Sequence, residues 1–264
     1  MADLEYRIAD GVGTIVLNRP DRKNAFTMEM IDTWASVLVE ARTDPRVRVL
    51  VVTGAGDAFC SGVDLGHFDA GGQRGGQTPL ERKTILTDRI HRVAYALEDL
   101  DKPVIAAVNG AAVGAGMDMA LMCDMRLAAR SARFSEGYIR VGLVPGDGGC
   151  YFLPRLVGMA KALELLLTGD FIGAEEAQRL GIINRVTDDA DLPDAVAELA
   201  GKLAAAPPVA VAMIKRATYQ SARCDLRTAL DLISSHMGIV TSTEDSAEAL
   251  AAFQAKRQPV FRGR

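Results

Sequence analysis

Residues 103–118, Pro103-Val104-Ile105-Ala106-Ala107-Val108-Asn109-Gly110-Ala111-Ala112-Val113-Gly114-Ala115-Gly116-Met117-Asp118, decide how the chain is read. Pro103 to Val108 is short, continuous and apolar, the pattern of a strand buried on both faces. Asn109 and Gly110 end it, and small residues lead from there into a short helix expected over Gly114–Cys123. The first N–H groups of a helix have no partner inside it. Small residues let a ligand oxygen approach those donors, and the helix dipole favours negative charge there. Ala58-Phe59-Cys60-Ser61-Gly62-Val63-Asp64-Leu65 has a similar character, a strand end running through Gly62 into a turn. Two N–H groups aimed at one point would form an oxyanion hole. The plainer reading of either segment is close packing of backbone on backbone.

Outward from this stretch, short apolar segments alternate with helical patterns. Strands are expected at Thr14–Asn18, Val47–Val52 and Arg126–Ala129, with a helix over Thr27–Arg42 and another over Leu80–Leu100. Residues 66–79, with four glycines in two pairs between Gly71 and Gly76, predict a mobile loop. After Gly149 helical patterns dominate (150–167, 174–180, 191–205, 208–222 and 225–256), with one short strand at Ile182–Val186. Strands alternating with helices, then helices alone, predict an α/β core over 1–195 and a helical C-terminal segment over 196–264.

Composition narrows the function classes. The 264 residues are 49% apolar and only 5% aromatic, so aliphatic side chains must build the core. Sixteen of the 25 glycines fall between Gly54 and Gly149, which points to backbone used at close quarters there. A formal charge of −4 provides no global basic field for nucleic acid. The longest apolar stretch, Val104–Met117, is too interrupted to span a membrane. Met1-Ala2-Asp3-Leu4-Glu5 lacks the features of a signal peptide. The four cysteines and three histidines show no zinc-type spacing, so a cytoplasmic, metal-free protein is expected.

The ordered set of motifs resembles the crotonase family, the enoyl-CoA hydratase/isomerase superfamily. It runs from Val16-Leu17-Asn18-Arg19-Pro20 with Asn24-Ala25, through Ala58–Leu65, Pro103–Gly116 and Gly142-Leu143-Val144-Pro145-Gly146-Asp147-Gly148-Gly149. It continues through Leu167-Thr168-Gly169, Ala174–Ala177 and Leu180–Asn184 to the tail Lys256-Arg257-Gln258-Pro259-Val260-Phe261. The resemblance implies a crotonase-like α/β spiral of ββα units with a helical C-terminal segment serving trimerisation and the CoA pocket. It implies an acyl-CoA thioester as substrate, CoA entering only as part of it, and a homotrimer or a hexamer of paired trimers. No nucleic-acid or membrane partner is expected.

Carried over residue by residue, the resemblance makes the backbone N–H groups of Val63 and Ala115 the oxyanion hole. It brings Asn24, Ala25 and Ser61 to the adenine end of CoA, Arg22 and Lys23 to its phosphates, and Lys256 and Phe261 to the same pocket. For each basic side chain a solvated surface charge is the competing reading. Hydratases of the family carry two glutamates as acid and base. Here the first position is Asp118, three residues after Ala115 and so on the same helical face. The second is Tyr138, which is a donor and a weak base at neutral pH. Glu136, two residues earlier, would share Tyr138's face on a strand. Asp147 is a third acidic candidate, with an N-cap role as its alternative. His91 would reach the pocket if the glycine loop folded inward; otherwise it is a partly exposed helical side chain.

The reaction named first is reversible hydration of a 2-enoyl-CoA with Asp118, Tyr138 and Asp147 as the acid/base set. Double-bond isomerisation, or hydrolysis or cleavage of a specialised CoA ester, are the alternatives. A CoA-binding homologue without turnover is the non-enzyme alternative.

Overall fold

The computed structural model describes residues 2–64, 66 and 78–264. Strands β1 (Leu4–Ala9) and β2 (Val12–Leu17) form an antiparallel hairpin. β3 (Val49–Gly54), β5 (Val104–Val108), β7 (Met125–Ala129) and β10 (Arg185–Thr187) extend it by parallel pairing, in the order β1-β2-β3-β5-β7-β10. A second, smaller sheet holds β4 (Ala58–Cys60), β6 (Ala111–Val113), β8 (Arg133–Ser135) and β9 (Ile172–Gly173) in that order.

The chain gives one strand to the large sheet, one to the small sheet, then a helical stretch, and repeats. After β3 and β4 comes a helix, Pro79–Ile85, that passes through a π-helical turn at Leu86–Ile90 into His91–Glu98. After β5 and β6 comes Ala115–Leu121; after β7 and β8 comes Gly149–Val157, beyond a 3₁₀ segment. This is the expected spiral of ββα units.

The large sheet is covered on both faces, which explains why its strands read as continuous apolar runs. In β5, Val104, Ala106 and Val108 face the main core with Trp34, Phe26 and Phe59. Ile105 and Ala107 face a second cluster closed by Leu192, Val196 and Ala200, spaced four apart on the helix Leu192–Ala204. The expected boundary at residue 195 falls inside that helix. Its buried stripe belongs to the core, so the core runs through Ala204 and the helices beyond it (Pro208–Ser221, Leu226–Thr241, Glu244–Gln254) form the C-terminal segment.

Other expectations shift for local reasons. The single helix expected over 150–167 is broken at Gly158, whose φ of 76° ends one helix before Met159 starts the next. The helix expected over 225–256 is two, because Thr243 caps the second by accepting from Ser246 N–H at 3.1 Å. The glycine-rich loop expected at 66–79 lies, from 67 to 77, outside the described residues. No single helix among the described residues is long and apolar enough to cross a membrane.

β4, β6 and β8 are parallel neighbours, with Cys60 opposite Ala112 and Val113 opposite Ser135. Their carboxyl ends therefore lie side by side. Val63, Ala115 and Tyr138 each follow one of these ends, and ligands of α/β proteins gather outside the carboxyl ends of parallel strands.

Candidate active site

Val63 pairs with Phe26 through a single parallel bridge. Both of its hydrogen bonds belong to Val63's neighbours: Phe26 N–H donates to Gly62 O at 2.9 Å, and Asp64 N–H donates to Phe26 O at 3.1 Å. The amide of Val63 consequently points to the opposite side. Gly62, at φ 97°, makes that turn, and a Cβ there would sit 2.9 Å from Val113 O and 3.6 Å from Ala115 N. Only glycine brings the two segments this close. Ala115 is the first residue of its helix, so its N–H has no intrahelical partner. Arg19 braces the arrangement, donating to Ala25 O at 2.5 Å and to Asp64 Oδ2 at 2.9 Å.

The acidic residues converge beside these amides. Asp118, Glu136 and Asp147 are all under 5% exposed. The hydroxyl of Tyr138 lies 2.8 Å from Asp118 Oδ2 and 2.5 Å from Asp147 Oδ2, bridging the two aspartates. The second oxygens of both aspartates, and both carboxyl oxygens of Glu136, are buried without a well-formed hydrogen bond. Asp118 and Glu136 meet over Gly149: a Cβ at that glycine would overlap Asp118 Oδ1 and lie 2.7 and 2.9 Å from the Glu136 oxygens.

Burial drives the electrostatics. It pushes Asp118 up to about 7, helped by the charge of Asp147 and opposed by the Tyr138 hydroxyl and Glu136. Burial and the charge of Asp118 push Glu136 up to about 10. Asp147 is raised by burial, against the Tyr138 hydroxyl and His91. Tyr138 is raised well above its ordinary value by burial and by the two aspartates. Three buried carboxyls thus share a pocket with no lysine or arginine among the groups that shift them. Unpaired carboxylates are costly to bury, so at neutral pH the cluster must hold protons.

Comparison with known proteins covers nearly the whole chain. A model of the enoyl-CoA hydratase/isomerase family matches residues 7–264. The chain belongs to the enoyl-CoA hydratase/isomerase family. It is 38% identical to the 1,2-epoxyphenylacetyl-CoA isomerase of Escherichia coli over 97% of each chain. It is 37% identical to the short-chain-enoyl-CoA hydratase of Clostridium acetobutylicum, over 94% of this chain and 92% of the relative. The crystal structure of an enoyl-CoA hydratase from Bacillus anthracis superposes over the full length of both chains with a TM-score of 0.93 at 32% identity.

Within this enoyl-CoA hydratase/isomerase fold, the acid/base candidates come together, though not all in the way expected. Glu136 and Tyr138 do not share a strand. β8 ends at Ser135, and Tyr138 lies in a 3₁₀ segment, Gly137–Val141, that turns it toward Asp118. Asp147 is not an N-cap; Gly148 holds that position and the Asp147 carboxyl is on Tyr138. His91 Nε2 donates to Gly146 O at 2.8 Å, so it anchors the loop that carries Asp147.

The expected CoA contacts separate into two places. Lys23, Asp57, Ser61 and Arg133 line a cavity of about 390 Å³ that lies along the starts of β4, β6 and β8. Lys23 Nζ is 2.7 Å from Asp57 Oδ2 there. Ser61 Oγ donates to the carbonyl of the exposed Arg22. Asn24 is fully buried, its side chain bonded to Arg19 N, Ala55 O and Ala58 O, its N–H donating to Arg19 O at 2.9 Å and its carbonyl accepting from Cys60 Sγ, so it offers a ligand no free donor. Ala25 is buried, with its carbonyl taken by Arg19. Phe261 lies at the other end of the sheet, where its carbonyl accepts from Arg48 just before β3. Lys256, after the last helix, is exposed. Neither lines the Lys23–Ser61 cavity of its own chain. Sequence reasoning passed over Arg133 and the bracing role of Arg19. No group of three His, Cys, Asp or Glu side chains among the described residues is placed to hold a metal ion.

Proposed function

We propose that this chain catalyses reversible syn hydration of a 2-enoyl-CoA, with the amides of Val63 and Ala115 as the oxyanion hole. Asp118 is the acid/base, assisted by Tyr138 and Asp147. The observation that carries this reading is the Asp118–Tyr138–Asp147 bridge, with the first turn of the helix Ala115–Leu121 and the Val63 turn packed beside it. The thioester oxygen accepts from both amides, each worth about 3–4 kcal/mol once charge develops. As water adds to Cβ, Asp147 takes its proton and the electron pair of the double bond moves onto the thioester as an enolate. Asp118 then protonates Cα.

The phosphates of CoA would meet Lys23 and Arg133 in the cavity that Ser61 also lines, with Arg22, Asn24 and Ala25 contributing as part of the same turn as Lys23. No further cofactor is used. A homotrimer, or a pair of trimers, is supported by the apolar side chains that the helix Leu226–Thr241 leaves exposed, among them Leu226, Leu230, Met237 and Ile239. From that assembly Lys256 and Phe261 of a neighbouring copy would reach the CoA site. Four unpaired cysteines suit a reducing compartment, the cytoplasm.

The test is loss of the conjugated enoyl absorbance when the protein meets crotonyl-CoA, with 3-hydroxybutyryl-CoA as product. One observation favours a second reading: the Tyr138 hydroxyl already fills the span between the two aspartates where a water would be held. Conversion of a 3-enoyl-CoA to the 2-enoyl isomer without hydration would select that reading. Binding of acyl-CoA with no turnover would overturn both.

A further inference from the structure

The phenolic hydroxyl of Tyr138 has one hydrogen but touches two carboxyls. One contact is made by that hydrogen, so the other needs a proton that comes from an aspartate. Asp118 Oδ1 and both Glu136 oxygens crowd the same bare Cα of Gly149, all three buried without another partner, and two carboxyls facing one another there are compatible only if a proton lies between them. Glu136–Asp118–Tyr138–Asp147 is then a chain of four groups and three contacts. Three protons satisfy it, which leaves one negative charge.

We infer that Glu136 is a neutral carboxylic acid that closes the far end of a proton chain, donating to Asp118 Oδ1 and holding the single charge toward Asp147. Glu136 is a positioning residue: it acts through Asp118. The groups around it agree with this direction. Asp118 comes from the helix Ala115–Leu121, Tyr138 from its own 3₁₀ segment, and Cys150 from the helix Gly149–Val157, its thiol raised by burial, Asp118 and Glu136. His91, the one group of this set that can be cationic, lowers Asp147 at the opposite end. Glu136 has only acids and a thiol for company, so it keeps its proton.

The inference deepens the acid/base reading above and rests on it for its catalytic consequence. When Asp147 takes a proton from water or from substrate carbon, Asp147 donates to Tyr138 Oη, the Tyr138 proton passes to Asp118 Oδ2, and Asp118 has given its own proton to Cα. Each group ends with the proton count it began with, and no outside acid or base is needed.

Infrared spectroscopy of the resting, substrate-free protein tests the proton on Glu136 directly. At pH 7 two buried carboxylic-acid C=O bands, shifting in D₂O, should be present in wild type, one lost in Asp118→Asn and the other, that of Glu136, lost in Glu136→Gln. A spectrum in which Glu136→Gln loses no carboxylic-acid band would overturn the inference whether or not an enoyl-CoA is turned over. The pH–rate profile tests the positioning role. Glu136→Met, which cannot donate, should move the acid limb up by about one pH unit, and Glu136→Gln, whose amide can still donate, should leave that limb in place. Equal limbs in the two variants would show Glu136 to be structural only.

Discussion

The helix Ala115–Leu121 has an ionisable centre buried near each end, and the two are built on opposite plans. Near its C-terminal end the guanidinium of Arg126 donates to the carbonyls of Ala120, Leu121, Cys123 and Ile182. At its N-terminal side Asp118 joins Glu136, Tyr138 and Asp147, where four carboxyl oxygens are buried without a well-formed hydrogen bond. Arg126 spends its Nε and Nη1 donors on backbone carbonyls, and its cation sits where the helix dipole is negative. The acids are left short of donors. A buried centre tied to backbone holds a fold together; one with bonds missing stores capacity for a ligand or a proton.

That contrast should separate activity from stability. Asp118→Asn has the largest expected effect, a fall in kcat of about 10²–10⁴, with a folded protein of undiminished melting temperature. Steady-state kinetics with an enoyl-CoA and a thermal melt check the two halves. Arg126→Met should do the reverse, costing at least about 3 kcal/mol in denaturant unfolding because buried carbonyls lose charged donors. A stable Arg126→Met protein would break the contrast at its structural end.

Tyr138→Phe removes the bridge and leaves the carboxyls. A loss of about 10–100-fold in kcat is expected from one hydrogen bond to a charged group. The smallest effect is a slope. A carboxyl raised in the folded state binds more protons folded than unfolded, so its stabilising contribution is full below its unfolded value, about 4. For Asp118 that contribution is lost as pH rises toward about 7, and for Glu136 toward about 10. Melting temperature should therefore decline from pH 5 to pH 8, and the decline should be shallower in Asp118→Asn.

Much of this was legible in residue order. β5 and its flanking helix were readable because Val104–Val108 is apolar throughout and Gly114–Gly116 cannot be anything but a tight transition. β4 showed as the strand end before Gly62, but the two-residue β9 and the three-residue β6 and β8 were not readable, since runs that short carry no period. Yet these strands assemble the site: their parallel pairing lines up the ends that carry Val63, Ala115 and Tyr138. Glu136 shows the same limit. A strand-based reading put it beside Tyr138 for the wrong reason, and its contact with Asp118 exists because Gly149, from a third segment, leaves room.

The linear chain was enough to establish an α/β spiral, the family, and the residues able to supply amides and acids, because those depend on local pattern and on side-chain chemistry. Which acids share protons, which cation is spent on structure, and that the helix Leu192–Ala204 belongs to the core depended on packing. Proximity between residues distant in sequence is set by how sheets and helices stack, and burial then decides what each carboxyl can do.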